Sequence, residues 1–142
     1  MGLKRSVEYR FELARGFLNE AELDYSLKRW RASVAASILV VENTGLAVLM
    51  LFGVSSFAHK PGVHLSQLIH EGTVSDDVAA LVHELLPALD KYDSYQKMLV
   101  KYGDESSFKL PWELIHEQEG VMALESARKC IRVSSEIAKL VQ

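Results

Sequence analysis

Ala32–Phe52, ASVAASILVVENTGLAVLMLF, carries a single charged side chain, Glu42, and places apolar residues on nearly every side of a helix drawn through it. A helix that is apolar all round is wrapped either by other helices or by lipid. About twenty apolar residues can span a bilayer, so length alone leaves both open. The triplet Glu42-Asn43-Thr44 near the midpoint argues for protein surroundings, because a carboxylate is most costly at the centre of a membrane. The flanking segments are amphipathic and need something to cover. The stretch is expected to be the buried core helix of a bundle, with no membrane involved.

Upstream, Val7, Phe11, Ala14, Leu18, Ala21 and Tyr25 recur at alternating spacings of four and three. They form one helical stripe from about Lys4 to Leu27, widened by Leu13 and Phe17. Lys28, Arg29 and Arg31 gather at the junction with the core helix, as either a phosphate contact or a solvated helix junction.

Downstream, Gly53 to Gly62 (GVSSFAHKPG) reads as a loop, followed by a short helical piece from His64 to His70. Ser75 with Asp76 and Asp77 is a helix start, a cap followed by acids at the positive end of the dipole. Val78, Val82, Leu85, Leu89, Tyr92 and Leu99 carry that third long helix to about Tyr102, with a kink expected at Pro87 and Gly103 as its stop. Asp104 to Pro111 reads as a polar loop. The last helix begins near Pro111 or Glu117 and runs to about Leu140, with stripes through Val121, Leu124, Ile131 and Ala138 and through Ala123, Ala127, Cys130 and Ile137. Long helices, short loops and no strand alternation predict an all-α, antiparallel up-and-down bundle of four to five helices.

At 142 residues the chain suits one domain, residues 1–142, and with 49% hydrophobic and 25% charged residues it reads as a folded globular chain rather than a disordered one. The net charge of −3 supplies no global basic field to draw it onto nucleic acid. The lone Cys130 lies in a helical pattern and reads as a small buried hydrophobe. The N-terminal residues lack a secretory leader's apolar run, and the Met1-Gly2…Ser6 spacing of a myristoylation motif falls within an amphipathic helix, so a cytoplasmic location is expected.

No phosphate-loop glycine pattern, HExxH motif or cysteine pair is present, and His59, His64, His70, His83 and His116 form no metal-ligand spacing, so neither metal nor cofactor is implied. Glu42 is the most informative polar residue: in an apolar helix a carboxylate needs a cation or several donors, so it either closes a structural network or lines a polar cleft. A second cluster, Asp93, Lys97, Lys101, Tyr102, Asp104 and Lys109, surrounds the end of the third helix. Its lysines suit either the helix dipole or a phosphate, and Tyr92, Tyr95 and Tyr102 supply rings that could stack on bases.

Taken in order, these pieces resemble the HEPN domain family, helical domains associated with nucleotides. The resemblance rests on the amphipathic first helix and the glutamate in AASILVVENTGLAVLML. It continues through His64-Leu65-Ser66-Gln67-Leu68, Val100-Lys101-Tyr102-Gly103-Asp104 before Pro111, and Val121-Met122-Ala123-Leu124-Glu125-Ser126-Ala127. It implies a helical bundle that binds a nucleotide or nucleic acid, with Glu42, His64, Lys101 and Tyr102 as binding residues, beside which Lys97 of the second cluster is a candidate. It also implies a homodimer and a companion minimal nucleotidyltransferase, in toxin–antitoxin fashion. Family members that cleave RNA without metal carry an arginine followed by a histidine four to six residues later, and this chain has none. Lys109 with His116 is the nearest imitation, and lysine lacks the arginine fork. Gly103 stands where the turn often has proline, and Leu46 and Ala47 where a lysine often follows the glutamate. The expectation is a non-catalytic binding module. The alternatives are a ribonuclease toxin built from Lys101, Lys109 and His116, and a purely structural helical subunit.

Overall fold

The computed structural model describes residues 2–54 and 60–141, and His59 with most of the expected loop before it lies outside them. The described chain is an all-α bundle. Its first two helices, α1 (Gly2–Ser26) and α2 (Trp30–Leu51), are joined by a tight turn in which Lys28 adopts φ 60°. Three small clusters give their pairing: Val7 and Phe11 with Ala47 and Met50, Ala14 with Val40, and Ala21 with Ala36. One series rises as the other falls, so the two helices are antiparallel, as a short connection demands.

The last helix, α7 (Glu117–Val141), enters the same three clusters through Leu124, Ala127 and Ala138, and so runs antiparallel to α1 and parallel to α2. Alanines at these crossings let the backbones approach closely. The side chains α7 buries are Ala123, Leu124, Ala127, Cys130, Val133, Ser134 and Ile137. Val121, Ile131 and Ala138, expected on the stripe, are half-buried at its margins.

The core helix is enclosed as its composition requires. It is long and apolar enough to cross a membrane, with mean hydropathy 1.9, yet 78% of that window is buried inside the fold. Its midpoint triplet divides its labour. Asn43 accepts from Arg10 of α1 at 2.9 Å and donates to the Leu39 carbonyl at 2.8 Å, while Thr44 donates to the Val41 carbonyl at 2.9 Å. Glu42 points elsewhere.

The third long helix expected from the sequence is two helices. Ser75 caps α4 (Asp76–Lys91), accepting from the Val78 N–H at 3.3 Å, and the helix continues through Pro87. It ends at Tyr92. There Asp93 accepts from the Tyr95 N–H at 3.3 Å and starts α5 (Ser94–Tyr102). The break escapes the periodicity because Tyr92 is buried and prolongs the α4 stripe, while the side chain that stops the helix is a cap for the next one. The short α3 (Pro61–His70) begins three residues before the expected start, with Pro61 at its first position, where a missing N–H is harmless.

The expected loop from Asp104 to Pro111 is a tight turn pinned by reciprocal backbone bonds of Asp104 and Lys109, both 2.9 Å, with Phe108 at φ 58°. The Asp104 carboxylate accepts from Ser106 and Ser107, which holds its pKa below the usual value. Gly103, at φ 67°, allows the turn to fold back, since a Cβ there would collide with the Lys109 carbonyl. A single-turn α6 (Pro111–Leu114) then leads into α7.

Candidate functional site

Where α2, α3 and α4 meet, two features shape the surface. Gly45 of α2 leaves space for the Pro61 ring and for Leu89: a Cβ there would lie 2.6 Å from Leu89 Cδ2 and 3.1 Å from Pro61 Cγ. One turn earlier on α2, Glu42 emerges toward the start of α5 and pairs with Lys97 at 3.2 Å, both side chains about 30% exposed (31% and 28%). Between these features opens a cleft of about 360 Å³.

Val41, Pro61, Leu86, Leu89 and Tyr92 give the cleft apolar surface. Polar side chains come from four elements: Glu42 from α2, Lys60 ahead of α3, His83 and Asp90 from α4, and Asp93 and Lys97 around the start of α5. Ser66 adds a hydroxyl. Burial raises the Tyr92 phenol's pKa, a hydrogen bond with Ser126 opposes that rise, and the ring therefore serves as a neutral wall. The arrangement is a concave, largely preformed pocket with a few convergent polar groups, the usual form of a small-molecule site.

Of the residues singled out from the sequence, the cleft unites Glu42 and Lys97, with Asp93 of the second cluster beside them. His64, Lys101 and Tyr102 are exposed and do not line it. Lys101 and Tyr102 sit at the end of α5, and the turn and short helix that follow expose Phe108, Leu110 and Trp112. Lys109 faces Asp104 across the turn. His116 is exposed ahead of α7, its N–H donating to Glu119 Oε1 at 2.6 Å and its Nδ1 3.7 Å from the same oxygen. Arg31 is committed to structure, donating to the Val100 carbonyl at 2.8 Å in the last turn of α5. Among the described residues, no three histidine, cysteine or acidic side chains come together as a metal-binding group.

Lys60, Ser66, His83 and Asp90 are the cleft residues that sequence reasoning did not single out as a site. Each is one polar residue in a loop or on a helix surface, and only the packing of α3 against α4 brings them together. Gly45 was the available signal: an isolated glycine inside an apolar helix marks a close approach by another element. Comparison of the chain with protein-family models and with curated proteins finds no match.

Proposed function

We propose that this chain is a non-catalytic, HEPN-like binding module that holds a nucleotide in the cleft between α2, α3 and α4. The observation that carries the reading is the cleft itself, where apolar wall, lysines and carboxylates converge on about 360 Å³. Ligand pockets span about 300–1,000 Å³, so its size suits one small molecule. A base would lie against Pro61, Leu89 and Tyr92. Lys60 and Lys97 would meet a phosphate, and Glu42 would accept from ribose hydroxyls while orienting Lys97. In this reading the chain acts as a homodimer or beside a companion nucleotidyltransferase. Exposed Tyr95, Met98 and Tyr102, one side of α5, support a partner contact there.

A thermal-shift screen with nucleosides and nucleotides tests the reading, because a ligand that binds only the folded chain stabilises it by about 2.7 kcal/mol at a hundredfold excess over Kd. The wild type is expected to shift by several degrees, and Lys97→Ala by much less. No shift with any nucleoside or nucleotide would contradict the proposal.

A further inference from the structure

The charges around the cleft go further than its shape. Three carboxylates, Glu42, Asp90 and Asp93, and two ammonium groups, Lys60 and Lys97, line the cleft, with Asp93 also capping α5. Lys97 is already bound to Glu42 at 3.2 Å, which leaves Lys60 as the one lysine of the lining without a carboxylate at that range among the described residues. Sites that hold polyphosphates concentrate cations and backbone donors. This one has a surplus of acceptors. Carboxylates beside an apolar wall suit a neutral group rich in N–H and O–H donors, such as an amino-bearing base or a ribose, and repel each added phosphate. The volume, near the lower end of the usual range, also suits a mononucleoside better than a longer ligand.

We infer that the cleft selects amino-bearing nucleosides and nucleoside monophosphates and discriminates against nucleoside di- and triphosphates. This specificity rests on the proposed nucleotide-binding reading and defines its ligand class. Lys60, with Lys97 shared with Glu42, can compensate one phosphate; a second and third meet Asp90 and Asp93 without a matching cation. A phosphate charge about 7 Å from a carboxylate, in surroundings close to water, is disfavoured on the order of threefold.

Isothermal titration of the full chain with adenosine, AMP, ADP and ATP at low salt, and with inosine in parallel, tests the inference. Adenosine and AMP are expected to bind within a few-fold of each other, ADP and ATP progressively weaker by about threefold per step, and inosine weaker than adenosine. In Asp90→Asn, which alters an exposed side chain, ATP should gain about threefold relative to AMP. Affinity rising from adenosine to ATP would overturn the selectivity while leaving the cleft as a nucleotide site. Equal binding of inosine and adenosine would overturn the preference for an amino group, and an unchanged ATP-to-AMP ratio in Asp90→Asn would remove the carboxylate as its cause. Binding by none of the five would overturn the cleft reading and the selectivity together.

Discussion

Gly45→Ala and Gly16→Ala add the same methyl group to two helices and are expected to change stability in opposite directions. Both glycines lie in helix interiors, where replacing glycine by alanine contributes about 0.5–1 kcal/mol by restricting the unfolded chain and favouring the helix. At Gly16 on α1 nothing lies within 4 Å of the added Cβ, so the whole gain should appear. At Gly45 the Cβ meets Leu89 Cδ2 at 2.6 Å and Pro61 Cγ and Cβ at 3.1 and 3.2 Å. The leucine terminus can turn, although Leu89 is itself buried; the proline ring cannot, and it opens α3, so α3 must move. Overpacking of this kind costs about 1–3 kcal/mol, which outweighs the propensity gain and leaves a net loss of about 1–2 kcal/mol. For a chain of 142 residues that is a fall of roughly 3–10 °C in Tm, against a rise of roughly 2–4 °C for Gly16→Ala. Calorimetric melts of the two variants beside the wild type decide it. Because Pro61 and Leu89 also line the cleft, Gly45→Ala should weaken its ligand as well. A rise in Tm for both variants would show that α3 does not press on α2 and would refute the account of how the cleft is built.

Other expectations concern single side chains. Glu42→Gln should lower stability by about 0.5–1 kcal/mol, the worth of a partly exposed ion pair, with denaturant melts as the check. It should also weaken an AMP-type ligand, and unchanged melting together with unchanged binding would remove Glu42 from both roles. Lys60→Ala and Lys97→Ala should reduce AMP affinity more at low than at high salt, while Lys101→Ala, outside the cleft, should leave titrations unaltered. Burial pushes the Cys130 thiol from its ordinary 9.0 up to about 11, with a hydrogen bond to Thr44 and the charge of Lys129 acting the other way. The stability linked to this thiol is complete below pH 9.0 and is lost as the pH rises through about 11, because the unfolded chain gives up the proton first. Wild-type Tm should therefore fall across that window more steeply than that of Cys130→Ala, and the native thiol should resist a disulfide reagent at pH 8 until the chain unfolds. Removing the α5 cap with Asp93→Ala should cost about 1 kcal/mol, read from urea melts.

The bundle was legible because its helices write their burial into the 3.6-residue period. Val7, Phe11, Ala14 and Ala21 are buried as their stripe requires, and the apolar stretch through Val40 and Val48 is covered on nearly every side. The division of α4 from α5 was not legible by the same rule, since Tyr92 keeps the period through the break. Pro87, where a kink was expected, lies inside α4, and the chain breaks further on at Tyr92, where Asp93 can cap a new helix. For the site, Glu42 stood out because a carboxylate in an apolar helix needs a partner, and that partner, Lys97, belongs to the cluster noted at the end of the third helix. Nothing local could pair the two. Their contact depends on where α5 restarts, and Lys60, Ser66, His83 and Asp90 join them only through the packing of α3 and α4 around Gly45.

The most direct test of the central claim is an amide NMR titration of isotopically labelled protein with AMP. Binding in the cleft predicts saturable shifts concentrated at Glu42, Lys60, Ser66, His83, Asp90 and Lys97, with Lys101 through Trp112 little changed. Shifts centred instead on Lys101, Phe108 and Trp112 would place the ligand at the end of α5 and the turn that follows it and contradict the account, and a spectrum unaltered at millimolar AMP would contradict binding altogether.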